Sequence, residues 1–133
     1  MDANSRGAAD LLRALMRTAA RFSETGRSLS DANFPHVRWS PISDLAGRAV
    51  RLGLELTLPG HEIVFELSVA VGTDGGFAVR GEIVLDGEDV FLDLPPAEAA
   101  DVTACTAMLD RYADELIAPA RAQVGRLLEE CPS

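Results

Sequence analysis

The sequence contains no lysine, so all twelve of its basic residues are arginine. It holds only two cysteines and two histidines, which leaves no spaced set of thiols and imidazoles for a zinc site. Cys105 and Cys131 are 26 positions apart in one predicted helix, a separation of about 39 Å at ~1.5 Å per residue. A disulfide needs Cα atoms within about 7 Å, so both thiols are predicted to be free.

Enzyme motifs are also missing from the chain. It has no nucleophile elbow, Walker loop, dinucleotide fingerprint or metal-binding histidine pair. The glycine-rich segment 72–76 lies between two predicted strands and therefore indicates a hairpin loop, not a phosphate site. His36 or His61 could act as an acid or base beside a carboxylate such as Glu62, but isolated loop histidines are more often surface residues. We therefore predict a protein that is not an enzyme and uses no cofactor or metal.

Long hydrophobic runs are absent as well. No stretch of about 18 uninterrupted apolar residues occurs, so no membrane-spanning helix is predicted. Arg13, Arg17 and Arg21 interrupt the apolar residues near the N-terminus, so no signal-peptide core is expected there. The exclusive use of arginine and the scarcity of Asn and Gln are typical of GC-rich bacterial genomes. We expect a soluble bacterial protein that stays in the cytoplasm.

The net charge of −9 is distributed unevenly along the chain. Residues 1–51 carry eight arginines and five acidic residues, a net of +3, whereas residues 52–133 carry four arginines and sixteen acidic residues, a net of −12. We expect the basic N-terminal helix to lie on the acidic sheet or the C-terminal helix; the alternative is that it faces a partner. General nucleic-acid binding is disfavoured, because phosphate contacts dominate such affinity.

Apolar residues at helical spacing predict a first helix from Ala8 to about Phe22. Gly26 is expected to stop this helix, and residues 1–7 are expected to be disordered. Three arginines share the face opposite the apolar residues, which is typical of a helix surface in water. They are Arg13, Arg17 and Arg21. Contact of this arginine stripe with a membrane surface or a nucleic acid is a further alternative.

Residues 27–48 form the least regular part of the sequence and are predicted to be a loop. Ser40–Pro41 could open one short helical turn in it, because serine suits the cap and proline the first helical position. A connection this long inside a compact domain is uncommon and is often functional. It carries the only tryptophan, Trp39, together with His36 and Arg38. This loop is therefore the first candidate for part of a site.

Alternation of apolar and polar residues predicts four antiparallel strands. Their ranges are about 50–58, 62–71, 77–85 and 89–94. Asp86–Gly87 is a strong signal for a tight hairpin turn, and Pro95–Pro96 is expected to end the last strand. Counting outward from the turns places Arg80 opposite Ser68 on one side and Asp93 on the other. Cross-strand charge pairing is expected there, with a polar site in a cleft as the alternative.

From Glu98 onward, apolar residues at spacings of three and four predict a long helix that lays one stripe on the sheet. Thirty helical residues reach about 45 Å, whereas a nine-residue strand spans about 30 Å. The helix should therefore extend beyond the sheet. Either Pro119 breaks it into two helices, or its far half packs against another subunit.

These observations predict one α+β domain over residues 1–133. It consists of an N-terminal helix, a four-stranded antiparallel meander and a long C-terminal helix, kinked at Pro119, that packs on one face of the sheet. In small size, acidic pI and exposed helical stripes the chain resembles the small acidic dimeric chaperones of bacterial secretion systems, a resemblance of overall properties. We predict a non-enzymatic protein-interaction module that forms a homodimer through the C-terminal helix and holds a protein partner. Residues predicted to bind a partner or ligand are Arg13, Arg17, Arg21, His36, Arg38, Trp39, Arg80 and Tyr112.

The alternative function is a domain that binds a small apolar molecule in a cavity between a curved sheet and the long helix. Gly53 and Gly81 lie inside predicted strands, where glycine often marks a bend or a close approach. Trp39 and Tyr112 would lie near the mouth of the cavity. Its lining would be Leu54, Leu56, Phe65, Leu67, Val79 and Ile83, which would equally form an ordinary packed core.

Overall fold

A computed structural model describes residues 3–33, 36–72 and 74–130 of the chain. Within these residues the chain forms one helix, five strands and a second helix, in that order. The helices are α1 (Ala3–Asn33) and α2 (Val102–Glu130), and the strands are β1 (Arg38–Ala46), β2 (Ala49–Leu58), β3 (His61–Val71), β4 (Phe77–Leu85) and β5 (Asp89–Ala99). The predicted α+β class and antiparallel sheet are confirmed, but the sheet has five strands instead of four.

The sheet is a meander in which each strand pairs with the next one along the chain. Its inner face follows the predicted alternation, so that Leu54, Leu56 and Phe65 are fully buried. The ring of Phe65 meets that of Phe22 in α1, with 4.9 Å between the ring centroids. Between β4 and β5, Asp86–Gly87 has φ angles of 54° and 75°, the two left-handed residues that a type I′ turn requires.

Both helices lie on the same face of the sheet and run parallel to each other. α1 lies mainly over β1 and β2, and α2 lies mainly over β3, β4 and β5. Side-chain contacts show this direction: Arg17 of α1 reaches Asp110 of α2, and further along both helices Arg121 of α2 reaches Ser28 of α1. β1 runs back along α1, and because the number of antiparallel strands is odd, β5 runs in the same direction as β1. The chain then turns at the end of β5, so α2 runs in the direction of α1. The core therefore lies between one sheet face and two helices, and no described element covers the opposite face.

The prediction of an irregular loop over residues 27–48 is wrong. α1 continues to Asn33, and β1 pairs with β2 from Arg38 to Ala46; residues 34 and 35 lie outside the described part. Ser40–Pro41 does not open a helical turn but lies inside β1. Proline is tolerated here because β1 is an edge strand, where a missing N–H needs no partner.

Gly26 does not stop the first helix, since it lies inside α1. The indole ring of Trp39 packs directly on it: a Cβ at position 26 would lie 2.7–2.8 Å from three indole atoms. Packing therefore requires glycine here, because any side chain would collide with the ring. The expected disorder of residues 1–7 is also wrong from Ala3 onward, where α1 begins, while residues 1 and 2 lie outside the described part.

The last strand does not end at Pro95–Pro96 but continues to Ala99. The ladder between β4 and β5 is irregular at this point, between Val79 and Gly81. Such a bulge takes up residues that lack an N–H, and β5 is the second edge strand. Both edges of the sheet therefore carry proline.

α2 begins after Asp101, whose carboxylate accepts a hydrogen bond of 2.8 Å from the N–H of Ala104. It remains one helix across Pro119. Its far half is buried within the same chain, because Ala120 and Val124 are fully buried and Leu127 nearly so. The predicted break at Pro119 is thus wrong. The apolar stripe of the far half is covered within the chain, because α1 is of similar length and the two helices lie side by side.

The contact between Gly26 and Trp39 predicts an unusual response to substitution. Glycine to alanine inside a helix normally stabilises by about 1 kcal/mol. At position 26 the added Cβ collides with the indole, and such overpacking costs about 1–3 kcal/mol. We expect Gly26→Ala to lower the free energy of unfolding in urea by about 1–2 kcal/mol.

Gly125 of α2 is the matched control, since a Cβ there meets nothing within 4 Å. Gly125→Ala should raise the free energy of unfolding by up to about 1 kcal/mol. A stabilising Gly26→Ala would show that the indole does not pack on this glycine.

Candidate functional site

The eight residues predicted to bind a partner or ligand do not form one site. Arg13, Arg17 and Arg21 lie on α1, while His36, Arg38 and Trp39 lie at or just before the start of β1. Arg80 lies on β4 and Tyr112 on α2. The structure therefore divides the predicted set among several parts of the fold.

The arginine stripe of α1 is engaged by acidic residues of the same chain. Arg17 lies 3.4 Å from a carboxylate oxygen of Asp110, and Arg21 pairs with Asp114 and also donates to the carbonyl of Asp110. Arg13 pairs with Asp10 at 3.1 Å within α1. The basic first helix thus lies on the acidic C-terminal helix, as the charge asymmetry predicted. Exposed pairs of this kind contribute at most about 1 kcal/mol each.

Trp39 and Tyr112 act as packing residues in this fold. Trp39 is half-buried against α1, and Tyr112 is buried in the core with its hydroxyl donating to the carbonyl of Pro95. His36 and Arg38 are exposed. The six sheet residues predicted to line an apolar cavity are all buried in the core. The surface clefts found among the described residues are lined by other side chains.

The first candidate surface is the open face, the sheet face opposite the helices. Paired residues of neighbouring strands lie side by side on it, so its side chains form rows about 7 Å apart along the strands. An apolar row contains Val64, Val84 and Val90. The next row, an acidic row, contains Glu66, Glu82 and Asp93. The third row contains Arg51, Ser68 and Arg80.

A cleft of about 210 Å³ crosses the acidic row and the third row. Arg51 pairs with Glu66 and lies 3.7 Å from Asp44. The hydrogen bond to Glu66, together with the charges of Glu66 and Asp44, raises the pKa of the Arg51 guanidinium above its ordinary value. Strand alternation in the sequence already places Arg51 and Arg80 on one face, but Arg51 is not among the residues predicted to bind a partner or ligand.

Arg80 remains without an ion pair among the described residues. Its predicted place opposite Ser68 is confirmed, but its predicted pairing with Asp93 is wrong. The irregularity in the ladder shifts the register, so that Asp93 lies opposite Glu82 and Arg80 has no partner on β5. The acidic row consequently brings like charges side by side, an arrangement that is unfavourable without a neutralising group.

The second candidate surface is the α1 stripe, defined by Ala8, Leu12, Met16, Ala19 and Ser23. Spacings of four, four, three and four place these residues on one side of the helix. Leu12 is 59% exposed and Met16 is 63% exposed. No residue of the stripe carries a charge. The sequence pattern does not separate Leu12 and Met16 from the buried residues of α1, because two apolar stripes that lie next to each other on a helix look like one wide stripe.

Leu45 of β1 lies at the same corner as Leu12 and Met16. Pro41 pairs with Leu54, which pairs with Phe65, the residue that Phe22 contacts. Leu45 lies four residues beyond Pro41, about 13 Å along the strand, a length that about nine helical residues span. Counting back nine residues from Phe22 reaches position 13, between Leu12 and Met16. Leu45 is 80% exposed on the helix side of the sheet.

His61 and Asp86 form the acid–base pair nearest to the one considered from the sequence. Nδ1 of His61 lies 3.0 Å from a carboxylate oxygen of Asp86, whose other oxygen accepts a hydrogen bond of 2.8 Å from the N–H of Glu62. A surface cleft beside them is lined by backbone turns and by Thr57 and Leu58. The pair joins the turn between β4 and β5 to the start of β3 at one end of the sheet. This geometry is that of a structural contact.

Comparison with protein-family models, curated proteins and solved structures finds no match. No helix in the described part is long and apolar enough to cross a membrane. Over the same residues, no three side chains of the metal-binding types converge on a point where an ion could be held. The two surfaces are therefore interpreted from their geometry alone.

The His61–Asp86 pair predicts a pH dependence. The backbone hydrogen bond from Glu62, and next the one from His61, lower the pKa of Asp86 below its ordinary value. The folded pKa thus lies below the unfolded value of about 3.9. The stabilisation by this carboxylate is therefore present above the unfolded value and is lost as the pH falls through the folded pKa.

An NMR titration of the Asp86 carboxyl signal tests this expectation. His61→Ala should raise the pKa of Asp86 only in part, because the backbone hydrogen bond from Glu62 remains. His36→Ala removes the other histidine and should leave the titration of Asp86 unchanged. An ordinary pKa for Asp86 in the wild-type protein would contradict the pairing.

Proposed function

We propose that the chain is a non-enzymatic, cytoplasmic protein-interaction domain, of a chaperone- or adaptor-like kind, that forms a homodimer through α1. The observation that carries this proposal is the α1 stripe, an uncharged helix surface with two large exposed apolar side chains, Leu12 and Met16. Leu45 extends the apolar surface onto β1. Clusters of exposed apolar side chains of this kind are typical of protein–protein contacts.

The charge of the chain favours a second copy as the occupant of this stripe. At a net charge of −9, two copies repel each other over most of their surfaces. In a two-fold dimer each patch meets itself, so a charged patch would oppose its own sign. The α1 stripe avoids that repulsion, and its alanine and serine residues allow two helices to approach closely.

Other routes to association receive less support. The apolar stripe in the far half of α2, with Ala120 and Val124, is buried in its own chain and is not available to a second copy, and deletion after Ala118 would uncover the core. Strand addition at the sheet edges is disfavoured by Pro41 in β1 and Pro95–Pro96 in β5. Cys105, the described thiol, is buried, and burial raises its pKa, which makes it unreactive.

Sedimentation equilibrium tests the proposed dimer. The wild-type protein should have twice the chain mass of 14.2 kDa at micromolar concentration. Met16→Glu places a carboxylate in the contact against its symmetry mate and should weaken association about tenfold or more. Because Met16 is largely exposed, the variant should keep the far-UV circular dichroism of the folded protein.

Ala122→Glu is the matched control, since position 122 is exposed on α2 and the change in charge is the same. It should leave the mass of the dimer unchanged. A wild-type protein that is monomeric at about 100 μM, where contacts with a Kd of 1 mM or weaker stay dissociated, would refute self-association. Equal dissociation by both variants would refute the role of the α1 stripe.

A further inference from the structure

The cleft on the open face holds more negative than positive charge. Four carboxylates border or approach it, against two arginines. Arg51 neutralises Glu66 and lies near Asp44, whereas Glu82 and Asp93 have no ion pair within the described part of the chain. Two neighbouring unpaired carboxylates make this position complementary to a cation.

The row beside these carboxylates is apolar. Val64 and Val84 are half-buried, and Val90 is 57% exposed at the edge of the row. A residue on the acidic row and its neighbour on the apolar row are about 7 Å apart, the distance between alternate residues of an extended chain. The open face therefore presents a negative position and an apolar position at the spacing of residues i and i+2 of a peptide.

The edges of the sheet limit how a peptide can bind. Prolines in β1 and β5 interrupt the unpaired backbone groups that an added strand would use. A partner segment is consequently directed across the open face, where side chains make the contacts.

We propose that the open face binds a segment of a partner protein in which an arginine or lysine is followed two residues later by an apolar residue. The basic side chain enters the cleft between Glu82 and Asp93, and the apolar side chain covers Val84 and its neighbours in the apolar row. This inference rests on the proposed role as an interaction domain, but not on self-association through α1.

The size of the cleft agrees with one long side chain. Its volume of about 210 Å³ corresponds to about seven water molecules at ~30 Å³ each. Gly81 lines the cleft, and Gly53 leaves a gap at the end of the acidic row, where a Cβ would lie 2.1 Å from the carbonyl oxygen of Phe65.

Fluorescence anisotropy with synthetic peptides tests the proposal. The probe is a labelled, end-blocked peptide with three repeats of Ser-Arg-Ser-Leu, and the control peptides carry glutamate for arginine or serine for leucine. The wild-type protein should bind the probe saturably. It should bind both control peptides at least about tenfold more weakly. Glu82→Gln combined with Asp93→Asn should weaken binding of the probe about tenfold.

The matched variant is Glu115→Gln combined with Glu129→Gln, which removes the same charge from exposed positions of α2. It should change the affinity less than about twofold, the size of effect expected for distant, screened charges. Equal weakening by both double variants, equal binding of the control peptides, or no saturable binding below about 1 mM would overturn the proposal. Met16→Glu should leave peptide affinity unchanged, so a failure of the dimer and a failure of the open face give different results.

Discussion

The apolar face of an antiparallel sheet has to be covered, and in this protein two parallel helices cover it while the other face stays in water. The contact of α1 with the sheet determines how this is done. Phe22 meets Phe65 in the middle of the sheet, and Gly26 lets the helix approach Trp39 closely. These contacts set the rotation of α1, and with it which residues of the helix point outward. The exposure of the α1 stripe is a consequence of that rotation.

The sequence predicts most of the fold where each element follows one period. The strands from position 50 to 94 alternate cleanly, and their tight turns carry the residues that the turn type requires. The sequence predictions fail where a residue type is compatible with two different structural roles. Pro41 looks like the start of a helical turn and Pro95–Pro96 like the end of a strand, but all three lie in edge strands, where proline is tolerated. Gly26 looks like the end of a helix but makes room for Trp39. Contacts with residues that are distant in the sequence decide these cases, and a local sequence pattern does not show such contacts.

The candidate surfaces were harder to predict than the fold. Periodicity shows which residues share a face, but not which element lies against that face. The arginines of α1 share a face, yet Arg17 and Arg21 pair with carboxylates of α2 in the same chain. Each of these two contacts joins residues that are 93 positions apart. Conversely, Leu12 and Met16 have the apolar character of core residues and remain exposed. The register shift between β4 and β5 likewise decides the neighbours of Arg80, and it is invisible in a count outward from the turns.

The two surfaces lie in different parts of the molecule, and this separation has a physical consequence. α1 covers one face of the sheet and the acidic row lies on the other, so association through α1 leaves the open face accessible. A dimer of the proposed kind would therefore carry two open faces. A partner with two basic segments would bind the second face at the high effective concentration set by the first contact. Weak individual contacts with exposed charges can in this way give a strong and salt-sensitive interaction.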